Sequence, residues 1–298
     1  MNTLTYQAAM DENLNVHPWD VAAAGWNHHA AMIHDWLEPV THMMLDEAHI
    51  KKGSRVLDIA AGAGDQTLDI ARRVGSEGRV LATDISPAIL TLAKKNAQIE
   101  GLKQVATQVA DAQSLDLAGS EFDAAVCRLG LMFCRSPLMA LTEIRAALRP
   151  QGRFSAVVFS DPTQNPCLTI AISTARKHVD FTNLGSAETS VMDSKDPFEP
   201  GTLMSLGKPR LFEELMQTAG YVDVTVRYVS APFRAPSVEH YINFLRSSAS
   251  PVIEILAILS ATAQQLAWID MTEQLRLFSS TSGWNGPNEL LLCSATAP

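Results

Sequence analysis

The chain has 298 residues, 47% hydrophobic and 18% charged, with a formal net charge of −9 and an isoelectric point near 5.3. Such a length suits one domain with insertions. The acidity argues against a nucleic-acid partner, because neutralising phosphates needs a basic stripe and no useful Lys/Arg run is present. No apolar stretch reaches the roughly 18–20 residues that a membrane span needs: the most apolar segment, residues 251–268, is broken by Glu254, Ser260, Thr262, Gln264 and Gln265. The first residues, MNTLTYQAAMDENLN, lack the basic and apolar regions of a secretory leader, so a cytoplasmic chain is expected. Its cysteines, Cys127, Cys134, Cys167 and Cys293, show no metal-like spacing and read as reduced thiols.

Residues 18–51 read as helices, with apolar and small residues at helical spacing through AAMIHDWLEPVTHMMLDEAHI. Strand one spans residues 55–60 (RVLDIA); a glycine turn follows, then a helix with Leu68, Ala71 and Val74 on one face. Strand two, residues 80–83, ends at Asp84, and Ser86-Pro87 gives the next helix its cap and first residue. Strand three spans residues 105–109. Strand four, residues 122–126, flows into Cys127-Arg128-Leu129-Gly130. Ser136-Pro137 repeats the cap signal, Leu138, Leu141, Ile144 and Leu148 form the buried helix face, residues 149–152 end it, and strand five spans residues 153–159.

The pattern loosens over residues 160–206, with one helical stretch around residues 168–178. A helix at residues 209–219 stops at Gly220, and a sixth strand spans residues 221–229. Helical segments follow at residues 237–247 and 251–278, and a last strand at residues 289–295. Short apolar strands alternating with amphipathic helices predict an α/β fold with a parallel sheet covered on both faces.

The stretch VLDIAAGAGDQT, Val56 to Thr67, runs a strand into a glycine-bearing turn and then a helix. Backbone N–H groups and the positive end of a helix are thereby set beside a ligand. Asp58 lies near the end of an otherwise apolar strand, where a carboxylate is costly unless partnered. Its partner is either a cationic ligand group or donors of the turn. A dinucleotide site expects G-x-G-x-x-G. Here Gly62-Ala63-Gly64-Asp65-Gln66-Thr67 lacks the third glycine, and an acid four residues before the first has no place in that pattern.

These residues resemble the class I S-adenosylmethionine (SAM)-dependent methyltransferases, in particular the small-molecule group that includes ubiquinone/menaquinone-biosynthesis C-methyltransferases. The resemblance covers residues 51–159 well and extends to residues 207–229. Its acid-x-Gly-x-Gly-x-Gly motif falls on Asp58-Ile59-Ala60-Ala61-Gly62-Ala63-Gly64, with Ala60 in place of the first glycine. By this resemblance the fold is a Rossmann-like, doubly wound, seven-stranded, mostly parallel sheet with an N-terminal helical lid and helical cap insertions. The implied divisions are a lid (residues 1–50), a SAM-binding core (51–159), a substrate-side insert (160–206), a core continuation (207–229), a helical cap insert (230–287) and a final strand (288–298).

The resemblance also implies SAM as cofactor. Asp58, Ala60, Gly62, Gly64 and Thr67 would form the turn, Asp84 would accept from the ribose hydroxyls, and Ile85 and Ser86 would border the adenosine. Asp111 would take the adenine amino group, with Ala112 offering its backbone. Arg128 opens a segment, RLGLMF, similar to one in the small-molecule group, and is either a cavity residue or a structural ion-pair residue. Trp26 would cover the sulfonium by a cation–π contact or pack the lid. His29 and Asp161 are candidate catalytic bases, with Asn165 beside the latter.

The expected reaction is methyl transfer to the oxygen, carbon or nitrogen of a small aromatic or lipophilic acceptor, under a cap built from the two inserts. The 230–287 insert reads equally as a homodimer interface. A SAM-fold protein serving a non-methylating reaction or a scaffold role stays open, as does, against the glycine pattern, an NAD(P)-dependent oxidoreductase.

Overall fold

A computed structural model describes residues 18–181 and 196–298. The earlier part of the expected lid and residues 182–195 of the substrate-side insert lie outside the described residues. Helices α1 (Pro18–His28) and α2 (Ala30–Glu47) come first. The alternating core then runs β1 (Arg55–Ile59), α3 (Asp65–Val74), β2 (Arg79–Asp84), α4 (Pro87–Ile99), β3 (Val105–Val109), β4 (Phe122–Arg128), α5 (Pro137–Ala147) and β5 (Leu148–Phe159). After it come α6 (Pro166–Lys177), α7 (Leu211–Thr218), β6 (Val222–Ser230), β7 (Phe233–Ala235), α8 (Val238–Ser248), α9 (Ser250–Ala257), α10 (Ala261–Leu275), β8 (Ser279–Ser280), β9 (Gly283–Gly286) and β10 (Glu289–Thr296).

The seven-stranded sheet has the order β3-β2-β1-β4-β5-β10-β6. Pairs β1–β2, β2–β3, β1–β4 and β4–β5 are parallel, whereas β10 runs antiparallel to both β5 and β6. This is the Rossmann-like doubly wound sheet expected. Val56, Leu57 and Ile59 of β1, and Ala124, Ala125 and Val126 of β4, are buried, as strands covered on both faces must be. Strand order reverses between β1 and β4, so a crevice opens beyond their C-terminal ends. The two Ser-Pro signals act as read: Ser86 Oγ accepts from the Ile89 N–H at 3.1 Å and Ser136 Oγ from the Met139 N–H at 3.4 Å.

Three readings are corrected. Strand five begins at Leu148, not at residue 153: Leu148 pairs with Phe122 and Arg153 with Ala124, so β5 advances five residues while β4 advances two. Pro150, which has no N–H to donate, is accommodated in that interruption of the ladder. The segment read as one helix over residues 251–278 is two, because Ser260 caps a new start by accepting from the Ala263 N–H at 3.3 Å. The 230–287 insert is also not wholly helical. It contains a small antiparallel sheet of order β7-β9-β8, whose Trp284 stacks on Tyr241 of α8 with centroids 4.1 Å apart.

All four cysteines are free and buried. Burial pushes the Cys134 and Cys167 thiols up to about 12, which keeps them protonated and unreactive. Among the described residues no helix is long and apolar enough to cross a membrane.

Candidate active site

A cavity of about 260 Å³ lies at the C-terminal ends of β1, β2, β3 and β4, roofed by α1 and the start of α2. Ala60, Gly62, Asp84, Ile85, Asp111, Ala112, Arg128 and Trp26, all expected from sequence, line it. Asp84 ends β2 and orders the floor: its Oδ2 accepts from the Gly62 N–H and its Oδ1 from the Ser86 N–H, each at 3.0 Å. Asp111 Oδ1 accepts from the Gln113 N–H at 2.8 Å and from Gln113 Nε2 at 3.2 Å, which fixes the carboxylate beside Ala112.

Asp58, Gly64, Thr67 and Ser86 sit behind the lining instead of in it. Asp58 is fully buried and accepts hydrogen bonds from Gln66 Nε2 and, at 2.5 Å, from Thr67 Oγ1. Of the two partners considered for Asp58, the turn supplies it, through side chains in place of amides. Burial lifts its carboxyl to about 7, against the pull of the Thr67 and Gln66 hydrogen bonds and of Arg128. Gly64 caps α3 at φ +95°, and a Cβ there would lie 3.1 Å from Ala93 of α4. Ser86 Oγ bonds Asp20 of α1 and so ties the lid to the head of α4.

Arg128 takes both of its expected parts. It lines the cavity and is only 7% exposed, with Nη2 on Asp65 Oδ2 and Nη1 on Thr41 Oγ1, each at 2.7 Å. The other Asp65 oxygen faces His34 Nδ1 at 3.0 Å. The negative carboxylate of Asp65 also suits the first turn of α3. Asp65 was not singled out in the sequence, although its place just after Gly64 marked it. Trp19, Asn96 and Gln113 also line the cavity and were not singled out in the sequence, whereas Gln66, Leu68, Leu129, Phe133 and Cys134 line it from segments read above without having been named as site residues.

The backbone of the cavity floor is strained. Ala60 has φ +53° and Leu129 φ +57°, left-handed values that cost L side chains about 1–3 kcal/mol each. Gly130 lies against Ala60: a Cβ on it would be 2.3 Å from the Ala60 Cβ. Ala60 thus holds a left-handed conformation, and its methyl group is matched by an absent one at Gly130.

A second cavity of about 70 Å³ adjoins the first and shares Trp19, Trp26, Leu129 and Phe133 with it. Its remaining walls come from Trp36 and Phe159, from Leu168, Ala171 and Ile172 of α6, from Leu203, and from α8 and α9; apart from Ser248 they are apolar. The indole N–H groups of Trp26 and Trp36 are bonded to the carbonyls of Ser248 (2.9 Å) and Ala231 (2.7 Å), which leaves their ring surfaces to the pocket.

His29 and Asp161 line neither cavity. His29 Nε2 lies 3.0 Å from Ser247 Oγ, and burial, then His28, lowers its basicity. Asp161 caps a turn, accepting from the Thr163 N–H at 2.9 Å and the Thr163 hydroxyl at 2.7 Å. Asn165 is fully buried and clasps β10: its side chain donates to the Glu289 carbonyl and accepts from the Glu289 N–H. These positions follow strand five as read, yet their side chains are used locally.

Residues 50–194 match the family model described as a methyltransferase domain. Together with the strand order and the strand-end acids, that match supports a class I SAM-dependent methyltransferase with SAM as cofactor. Within the class it is similar to the ubiquinone/menaquinone biosynthesis C-methyltransferase of Neisseria meningitidis, at 36% identity over 119 residues, 40% of this chain and 48% of that protein. The chain thus spans about half the length of the curated relatives it matches. Its fold is shared with the YcgJ protein of Bacillus subtilis (TM-score 0.56, 16% identity, 86% of this chain and 97% of that one). It is also shared with the Haemonchus contortus phosphoethanolamine N-methyltransferase 2 solved with SAM (TM-score 0.54, 16% identity, 91% and 57%).

Proposed function

We propose that the chain transfers the methyl group of SAM to a small aromatic or otherwise lipophilic acceptor. One observation carries this reading: a cavity at the strand ends, bearing the charged side chains of Asp65, Asp84, Asp111 and Arg128 on its lining, shares a wall with an almost wholly apolar pocket. The first has acids suited to a nucleoside, the second is suited to a flat, weakly polar molecule.

SAM, when bound, supplies a methyl group already activated on a sulfonium. The chain's own work is to bind, align and exclude water. Asp84 accepts from ribose hydroxyls, and Asp111 with the Ala112 backbone meets the adenine edge. Asp65 and Arg128 offer opposite charges to the zwitterionic amino-acid end. Trp19 and Trp26 roof the junction and keep water from the reacting centre. Residues of both inserts wall the apolar pocket, which supports a substrate cap over the dimer-interface reading.

Calorimetry with SAM, S-adenosylhomocysteine (SAH) and NAD tests the cofactor half. The expected result is binding of the first two and none of NAD; the reverse pattern would overturn the proposal. A panel of phenols, quinones and amines, assayed for SAH formation, then tests the acceptor class. Turnover confined to polar, non-aromatic acceptors would refute it.

A further inference from the structure

Leu129 is the point at which the sheet reaches the wall between the two cavities. It follows β4 directly, with φ +57°, a conformation uncommon for a bulky side chain. Three neighbours hold it there. The Leu129 N–H donates to the Val157 carbonyl at 2.8 Å, which fixes it to β5. Gly130 has no room for a side chain between Ala60 and Cys127. Beyond them, Ser205 Oγ donates to the Met132 carbonyl at 2.7 Å and pins the turn that presents Phe133.

The result is a side chain that lines both cavities. The other shared residues belong to α1, namely Trp19 and Trp26, or lean on it, as Phe133 does with its ring 4.9 Å from that of Trp19. Leu129 alone of the four stands directly at the end of a sheet strand. A wall held by the sheet keeps its position when the lid shifts, and a wall that keeps its position can measure what passes it.

We propose that Leu129 is a specificity-determining residue, the partition whose size sets how bulky an acceptor can be at the face it turns toward the methyl group. This rests on the reading that the apolar pocket receives the acceptor. It goes beyond that reading by naming the residue that sorts acceptors. Removing side-chain bulk at the partition should admit wider rings, and adding bulk should exclude narrow ones, by a larger factor than either change alters the hold on the cofactor.

The probes are naphthol and the bulkier phenylphenol, followed by quenching of tryptophan fluorescence with SAH saturating, while SAH itself is followed by calorimetry. Leu129→Ala is expected to tighten phenylphenol relative to naphthol by about tenfold, and Leu129→Phe to weaken naphthol by about tenfold, as a few methylenes do in an apolar pocket. SAH affinity should move by far less than the phenol ratio in both, since Leu129 is one of many residues on that cavity's wall. Thermal melts confirm folding, and Leu129→Met, nearly equal in volume, should behave as the parent if size is what counts. The proposal is overturned if the phenols keep their parental affinity ratio in every variant, or if SAH weakens in step with them. A parent that binds SAH but neither phenol defeats this proposal together with the acceptor reading; a parent that does not bind SAH defeats the cofactor assignment itself.

Discussion

Gly25 of α1 crosses α8 so closely that a Cβ on it would lie 1.8 Å from the carbonyl oxygen of Ser247. The crossing is stitched by neighbours, with Trp26 Nε1 on the Ser248 carbonyl and His29 on Ser247 Oγ. Gly25→Ala should therefore push α1 off α8 at a cost of about 2 kcal/mol, the usual penalty for overpacking, even though alanine is the better helix former. Because Trp26 roofs both cavities, SAH affinity should fall as well. Thermal denaturation and calorimetry check the two effects. A variant as stable as the parent would show that the crossing yields freely.

Asp84→Ala removes an acceptor proposed for the ribose and, with it, the bonds to the Gly62 and Ser86 N–H groups. SAH affinity should fall by about tenfold or more, since hydrogen bonds to a charged group contribute roughly 1.5–3 kcal/mol. Circular dichroism should report an intact sheet, because Asp84 ends its strand. Unchanged affinity would remove Asp84 from the site.

Ala60 and Gly130 should behave as a coupled pair. Gly130→Ala alone meets the Ala60 Cβ at 2.3 Å and is expected to destabilise by about 2 kcal/mol. Ala60→Gly alone relieves a left-handed alanine and should be stabilising by about 1 kcal/mol. In the double variant the loss should shrink, leaving a coupling of about 1 kcal/mol in a denaturant-based cycle. Strict additivity would mean that Cys127 Sγ, 2.9 Å from where a Cβ on Gly130 would lie, accounts for the whole penalty.

The carboxyl of Asp58 is lifted from 3.8 to about 7, chiefly by burial. Between those values the folded chain keeps a proton that the unfolded chain has released. The associated stability is complete below the lower value and is lost as pH rises through the upper one. Asp58→Asn has no such proton, so its melting temperature should fall less than the parent's from about pH 5 to about pH 8. Parallel melting curves across that range would contradict the assignment.

The alternating core was legible because its central strands are covered on both faces and two of its helices begin at Ser-Pro caps. Asp84 and Asp111 were legible for a related reason: an acid just beyond an apolar strand stands where the sheet opens. The partner of Asp58 stayed open between a ligand group and the turn because Gln66 and Thr67 lie eight and nine residues further on, and a sequence does not show which way they turn. The apolar pocket was expected in outline only. Its walls come from α1, α6, α8, α9 and the ends of β4 and β5, segments whose shared spacing exists only in the folded chain. The small sheet escaped because Ser279–Ser280 and Gly283–Gly286 are too short to alternate.

The place of β10 sets an order of events during synthesis. β5 and β6 are neighbours only through β10, which lies between them and supplies both of their antiparallel ladders. Residues 289–296 leave the ribosome after every other strand. Until then a nascent chain carries the cofactor turn and its acids on a sheet with β5 as an open edge and β6 unattached. The half that recognises the nucleoside can form early, domains generally assembling from the N-terminal side as they emerge. Closure of the sheet waits for the last strand, and Asn165, buried against Glu289, is the residue that waits with it.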